Sequence, residues 1–171
     1  MLTFKPALWR TGTSWSPPSG VTRTTTVNSG QLFFLPAPVK TLGIPHESKA
    51  TVEELVTKAG GNAAYNNKYR ISTITITGDI SISAVATDGT QYADDEAMFE
   101  TYRDLVSFLD TTSVFELFLY YDSTTPKYRK FKKLVLAQLS TDIGDNARTA
   151  FPYTIQLYRL DPVIYTTSPG A

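Results

Sequence analysis

The most regular stretch of the chain is ITITGDISI, where Ile74, Ile76, Ile80 and Ile82 alternate with Thr75, Thr77, Asp79 and Ser81. A period of two puts the isoleucines on one face and predicts a half-buried β-strand. Gly78, in register with them, suggests a bulge or bend. The period then changes. In DGTQYADDEAMFETYRDLVSFLD, residues Met98, Phe99, Tyr102, Leu105, Val106 and Leu109 fall on one helical stripe. Asp94, Asp95 and Glu96 sit at the positive end of that helix, where carboxylates are favoured. SVFELFLYY follows, apolar on both faces save for Glu116, and predicts a central strand covered on both sides. DSTTPK turns the chain and KYRKFKKLVLAQL returns it. STDIGDNARTAF reads as a loop, PYTIQLYRL as a last strand ending at Asp161 and Pro162, and VIYTTSPGA as an extended tail pairing at an edge.

The first third has no such regularity. TVEELVTKAGG predicts a short helix, with Thr51 and Glu54 spaced as a capping box and Gly60 and Gly61 as its stop. Before it, WSPPSG, TRTTTVNSG and LPAPVKTLGIP alternate turn formers with short extended runs. Pro6, Pro17, Pro18, Pro36, Pro38 and Pro45 remove ladder donors and bias their predecessors to extended conformations. Residues 1–48 are therefore expected to form an irregular, extended arm with one strand near QLFFLP. Leu32, Phe33, Phe34 and Leu35 need a surface, so the arm should dock partly on its own domain and partly on a neighbour. Residues 49–171 form the domain proper. The plan is α+β and mainly β: an antiparallel sandwich or barrel with one flanking helix, a projecting hairpin and the N-terminal arm.

KYRKFKKLVLAQL joins a basic half to an apolar half. On a strand, Tyr128, Lys130 and Lys132 face one way while Arg129, Phe131 and Lys133 face the other. Charge on both faces keeps both away from a core, since burying an unpaired cation costs several kcal/mol. The strand is thus expected to begin in water, at a hairpin tip beyond the sheet, and to end in the core. Lysines there have three readings: gatekeepers against edge aggregation, a stacking groove for nucleic acid, or a contact for another protein chain. The proline-rich arm and the aromatic strands favour the last. The candidate interface residues are Lys127, Tyr128, Arg129, Lys130, Phe131 and Lys132, with Phe33 and Phe34 from the arm.

Composition narrows the rest. A chain of 171 residues suits one domain with a real core. Sixteen basic residues balance sixteen acidic ones, so no overall field draws in nucleic acid or an anionic membrane. Cysteine is absent, which removes disulfides and thiolate metal sites. The opening MLTFKPALWRTGTSW lacks the apolar core of a signal peptide, and no run approaches membrane-spanning length, so a soluble, unprocessed chain is expected. His46 stands alone in a turn with no visible triad partner. Asp142, Asp145 and Asn146 lack the spacing and closing Glu of a calcium loop. AGGNAAY lacks a phosphate-cradling pattern. No enzyme, cofactor or metal site is expected.

In its order of elements, the chain resembles the tail-tube-type fold of bacteriophage tail and baseplate proteins. The likeness lies in YRISTITITGDISI, the helix DEAMFETYRDLVSFL, the strand FELFLYY with its hairpin, and RTAFPYTIQLYRLDP, over residues 68–165. It is similar to distal tail and baseplate-hub proteins. The resemblance implies a structural protein of the virion, assembled in the host cytoplasm. It further implies a homo-oligomeric ring, commonly a hexamer, whose lumen passes viral DNA, and contacts with other tail proteins. The alternative from another class is a carbohydrate-binding β-sandwich using Trp9, Trp15, Tyr120 and Tyr121 for stacking.

Overall fold

The computed structural model describes residues 6–36, 39–44, 50–55, 61–66, 72–81, 95–110, 112–122, 127–142, 150–161 and 163–171. In chain order the strands are β1 (Ala7–Thr11), β2 (Thr24–Val27), β3 (Gly30–Phe34), β4 (Val39–Gly43), β5 (Ala50–Leu55), β6 (Gly61–Asn66) and β7 (Ser72–Ser81). The helix α1 (Asp95–Phe108) follows, then β8 (Val114–Asp122), β9 (Lys127–Ser140), β10 (Ala150–Arg159) and β11 (Ile164–Tyr165). Nine strands form one sheet in the order β2-β3-β1-β8-β9-β10-β7-β4, with β11 beside β9. Every pairing is antiparallel. The fold is α+β and mainly β, as the pattern predicts, but among the described residues the sheet is open and not closed into a barrel.

The alternation read in β7 holds. Ile74, Ile76 and Ile80 are buried, and they face a core that also takes Phe151, Tyr153, Ile155 and Leu157 from β10. Gly78 pairs with Tyr153 without a break; the irregularity lies opposite it in β4, between Val39 and Thr41. At the far end of the sheet, Leu8 of β1, Phe33 of β3 and Leu35 join the same core. The Tyr153 hydroxyl donates to the Pro36 carbonyl at 2.7 Å, although β3 and β10 are separated by three strands. The sheet therefore curls, and its two limbs share one apolar interior. Helix α1 lies on this inner face. Its Phe108 ring packs 5.0 Å from Phe33 and 6.0 Å from Phe115, and Tyr102 lies 4.9 Å from Phe151.

The buried stripe of α1 is rotated from the predicted one. Met98, Leu105, Phe108 and Leu109 are buried, with Thr101 and Asp104, whereas Phe99 and Val106 are exposed. The reason is Asp104. Its carboxylate takes the Ser19 amide at 3.0 Å and the Arg23 guanidinium at 2.5 Å, which ties the loop between β1 and β2 over the helix. At the helix end, Arg10 donates to the Phe108 carbonyl and to Asp110, a cation placed where the helix dipole favours one. Asp110 also accepts from the amides of Thr112 and Ser113 and so fixes the turn into β8.

Two expectations are corrected. Of the helix predicted over TVEELVTKAGG, residues 51–55 belong instead to β5, which pairs with β6 in a separate two-stranded sheet, while residues 56–60 lie outside the described residues. A single short helix is marginal without packing, and the run of Ala50, Thr51 and Val52 pairs with Asn66, Tyr65 and Ala64. Residues 1–48, expected to form an irregular arm with one strand near QLFFLP, supply four strands among the described residues, β1 to β4. β1 enters between β3 and β8, so this segment docks along its own domain through a full set of ladders.

Candidate functional site

β8 and β9 form the hairpin singled out in the sequence. β1 covers β8 only from Phe115 to Phe118, and β11 covers β9 only at Lys130 and Phe131. Beyond them, Tyr120 and Arg129, Tyr121 and Tyr128, and Asp122 and Lys127 form strand pairs with each other, and no further strand flanks them among the described residues. The hairpin therefore projects past its neighbours from Arg129 outward.

Inside that limit the reading of both faces as wet is overturned. Lys130 and Phe131 are fully buried, on opposite faces of the sheet. Phe131 belongs to the inner core. Lys130 points to the outer face, where its Nζ lies 2.7 Å from Glu116 Oε2 and 5.4 Å from the Phe118 ring centre. Two bulges make this possible. One adds a residue to β9 at Lys132 and Lys133, where Lys133 has φ +54, and the other adds one to β8 at Leu119. The sequence carried the cue: Glu116 is the one acid in the apolar run SVFELFLYY, and it is the partner of the buried lysine. Burial pushes the Lys130 ammonium below its ordinary value; Glu116 pushes it back up, and Lys132 adds to the fall.

The tail completes this cation's shell. Lys130 Nζ donates to the carbonyls of Ser168 at 2.5 Å and Ala171 at 3.2 Å, while the Gly170 amide donates to Glu116 at 3.0 Å. Asn28 donates to the Pro169 carbonyl at 3.0 Å. A second, smaller apolar cluster of Ala7, Trp9, Leu32 and Phe118 lies on this outer face. Trp9 meets the tail at Gly170, where a Cβ would come within 2.9 Å of the indole and φ is +74.

The other predicted interface residues divide. Phe33 is buried in the core against Trp15 and Phe108. Phe34 is half-buried beside the outer cluster. Tyr128 is half-buried, its ring edge-on to Phe118 at 6.1 Å. Arg129 is exposed. Lys132 is half-buried with its ammonium 4.4 Å from the Tyr165 ring centre. Lys127 is placed by its backbone pairing with Asp122. Arg129, Tyr128, Lys132 and Phe34 thus retain surface of their own, whereas Phe33, Lys130 and Phe131 are internal.

The sequence reasoning missed the sheet edges. β2 pairs only with β3, and β4 only with β7, so among the described residues the two ends of the sheet each have an unpaired side. Thr25 and Thr26 of β2 are exposed. On β4, Lys40 is exposed and ion-paired to Asp79 at 2.6 Å, a charge of the kind that guards an edge. No group of three or more His, Asp or Glu side chains among the described residues is placed to hold a metal ion. Asp142 is exposed; His46, Asp145 and Asn146 lie outside the described residues. Trp9 is buried under the tail and bonded to the Val27 carbonyl, and Trp15 packs edge-on to Phe33 and Phe108. No described helix is long and apolar enough to cross a membrane.

No protein-family profile matches the chain, and neither does any curated protein sequence. Among solved structures it is similar to a chain in the C6-symmetric tail of an empty GTA particle. That match is 12% identical and spans 85% of this chain and 93% of the other, with a TM-score of 0.44. It is also similar to a chain in the six-fold symmetrised baseplate of the anti-feeding prophage. Here identity is 6%, coverage 100% and 97%, and the TM-score 0.41.

Proposed function

We propose that this chain is a structural, ring-forming component of a bacteriophage tail, at the tube end or the baseplate hub. The observation that carries the reading is the open, curled sheet whose opposite ends, β2 and β4, each have an unpaired side among the described residues. Two different edges on one subunit fit a heterologous contact, in which the β2 of one copy meets the β4 of the next; such contacts close into rings when the rotation allows. Strand addition at an edge supplies main-chain hydrogen bonds without needing a chemical site. The resemblance of residues 68–165 to tail-tube-type proteins supplies the rest: a hexameric ring whose lumen passes DNA without sequence recognition, stacked on other tail proteins in the virion. Residues 1–48 act as the docking arm of the 49–171 domain, along its own sheet and, through β2, toward a neighbour. The exposed Arg129 and its hairpin tip serve as a second contact.

Sedimentation velocity tests this. The chain is expected to form a discrete ring at micromolar concentration. Charging the edge with Thr25→Lys and Thr26→Lys should leave folded monomers. A chain that stays monomeric at high concentration sinks the ring; a charged-edge variant that assembles normally sinks the edge contact alone.

A further inference from the structure

We propose that residues 163–171 form a strap that is exchanged between copies, each copy's Glu116–Lys130 pair receiving the tail of another. The receptor is built from Glu116 of β8 and Lys130 of β9, with Trp9 of β1 and Asn28 from the turn between β2 and β3. It reads the tail almost wholly through main-chain atoms, namely the carbonyls of Ser168, Pro169 and Ala171 and the amide of Gly170. Its one side-chain requirement is the absence of a Cβ at Gly170, against the Trp9 indole. A tail from a second copy satisfies all of these contacts equally well.

When the closed contacts are the same in both arrangements, the hinge decides between them. Here the hinge surface is unusual. Tyr158, Leu160, Val163 and Ile164 are 46%, 52%, 49% and 47% exposed, half of the exposed large apolar side chains in the described residues. Only two residues, Ile164 and Tyr165, hold the strap's root to β9 as a ladder. Crossing to a neighbour forfeits little there and brings the four apolar side chains between two copies, where a patch of this kind is expected to be covered. Asp161 stays with its own hinge, accepting from the Val163 amide and the Tyr165 hydroxyl.

The exchange needs copies that meet, which the proposed ring supplies, but it is measured separately from assembly. The chain has no cysteine, so Ser29→Cys and Ala171→Cys each introduce a single thiol beside contacting groups, Asn28 and Gly170. The two variants, one isotopically heavy, are refolded together as full chains and treated with a short bis-maleimide. Mass spectrometry is expected to find residue 29 of one copy joined to residue 171 of the other. Leu160→Ser with Ile164→Thr should lower that link severalfold. The proposal is overturned when the mixture gives no such link while a chain carrying both thiols links within itself. Ring assembly by sedimentation, read on the same mixture, shows whether the ring stands or falls independently.

Discussion

Lys130 shows how one side chain can look wrong for its place and still be required there. Its ammonium is fully buried, yet it has a carboxylate, two carbonyls and an aromatic face around it. Removing one partner of such a pair leaves the other charge stranded. Lys130→Met is therefore expected to destabilise the fold by about 3 kcal/mol in urea titration, and adding Glu116→Gln should restore part of the loss. The lowered Lys130 value also has a sign. The unfolded chain holds this proton more tightly than the folded one, so this residue's contribution to stability rises as pH increases through the window below its ordinary 10.5. Asp110 has the same sign in a lower window, because its pKa is also lowered by folding. Its burial pushes its pKa up, but bonds from Ser113 and Thr112 outweigh this and hold it at about 2. Its contribution is present above its ordinary 3.8 and is lost as pH falls toward 2. The carboxylate is 40% exposed, so after screening the loss is on the order of 1 kcal/mol. Asp110→Asn should flatten that part of an acid stability curve.

At the level of elements, the hairpin of β2 and β3 illustrates how a turn and a packing contact combine. Asn28 and Ser29 both have positive φ, 49° and 60°, and join Val27 to Gly30 directly, the geometry of a tight two-residue turn that matches strand twist. Gly30 follows for another reason: a Cβ there would lie 2.2 Å from Trp9 Cζ2 and 2.4 Å from the Arg10 carbonyl oxygen. Backbone cannot give way as a side-chain tip can. Gly30→Ala is expected to cost about 2 kcal/mol or more by thermal unfolding, in the range of overpacked sites. Such a constraint is invisible in the sequence because Trp9 is twenty-one residues away. Local patterns were legible where one period ran unbroken, as in β7 with Ile74 and Ile76 and in β10 with Ile155 and Leu157. They misled where bulges shifted the phase, as at Lys133, and where a local capping signal at Thr51 and Glu54 met a strand partner supplied by β6. The rotated helix had the same cause at longer range, since Asp104 is buried by Ser19 and Arg23.

For the whole molecule, α1 is the brace that joins the two limbs of the sheet. Phe108 meets Phe33 and Phe115 near one limb, while Phe99 and Tyr102 meet Phe151 on the other. Phe108→Ala should cost about 3–5 kcal/mol and make the unfolding transition less cooperative, which comparison of near- and far-ultraviolet dichroism would reveal. The overall plan was readable because it depends on the order of periods along the chain. The edges and the tail clamp were not, because both arise from which strands end up adjacent.

The length of β9 has a mechanical side. Fourteen residues long, it is bonded to β8 on one side and to β10 and β11 on the other. A pull along its axis loads many of those bonds at once, so they resist together, whereas a pull on an outer strand such as β2 opens its pairs one after another. Under tension this subunit should peel from its margins while the middle strand stays seated.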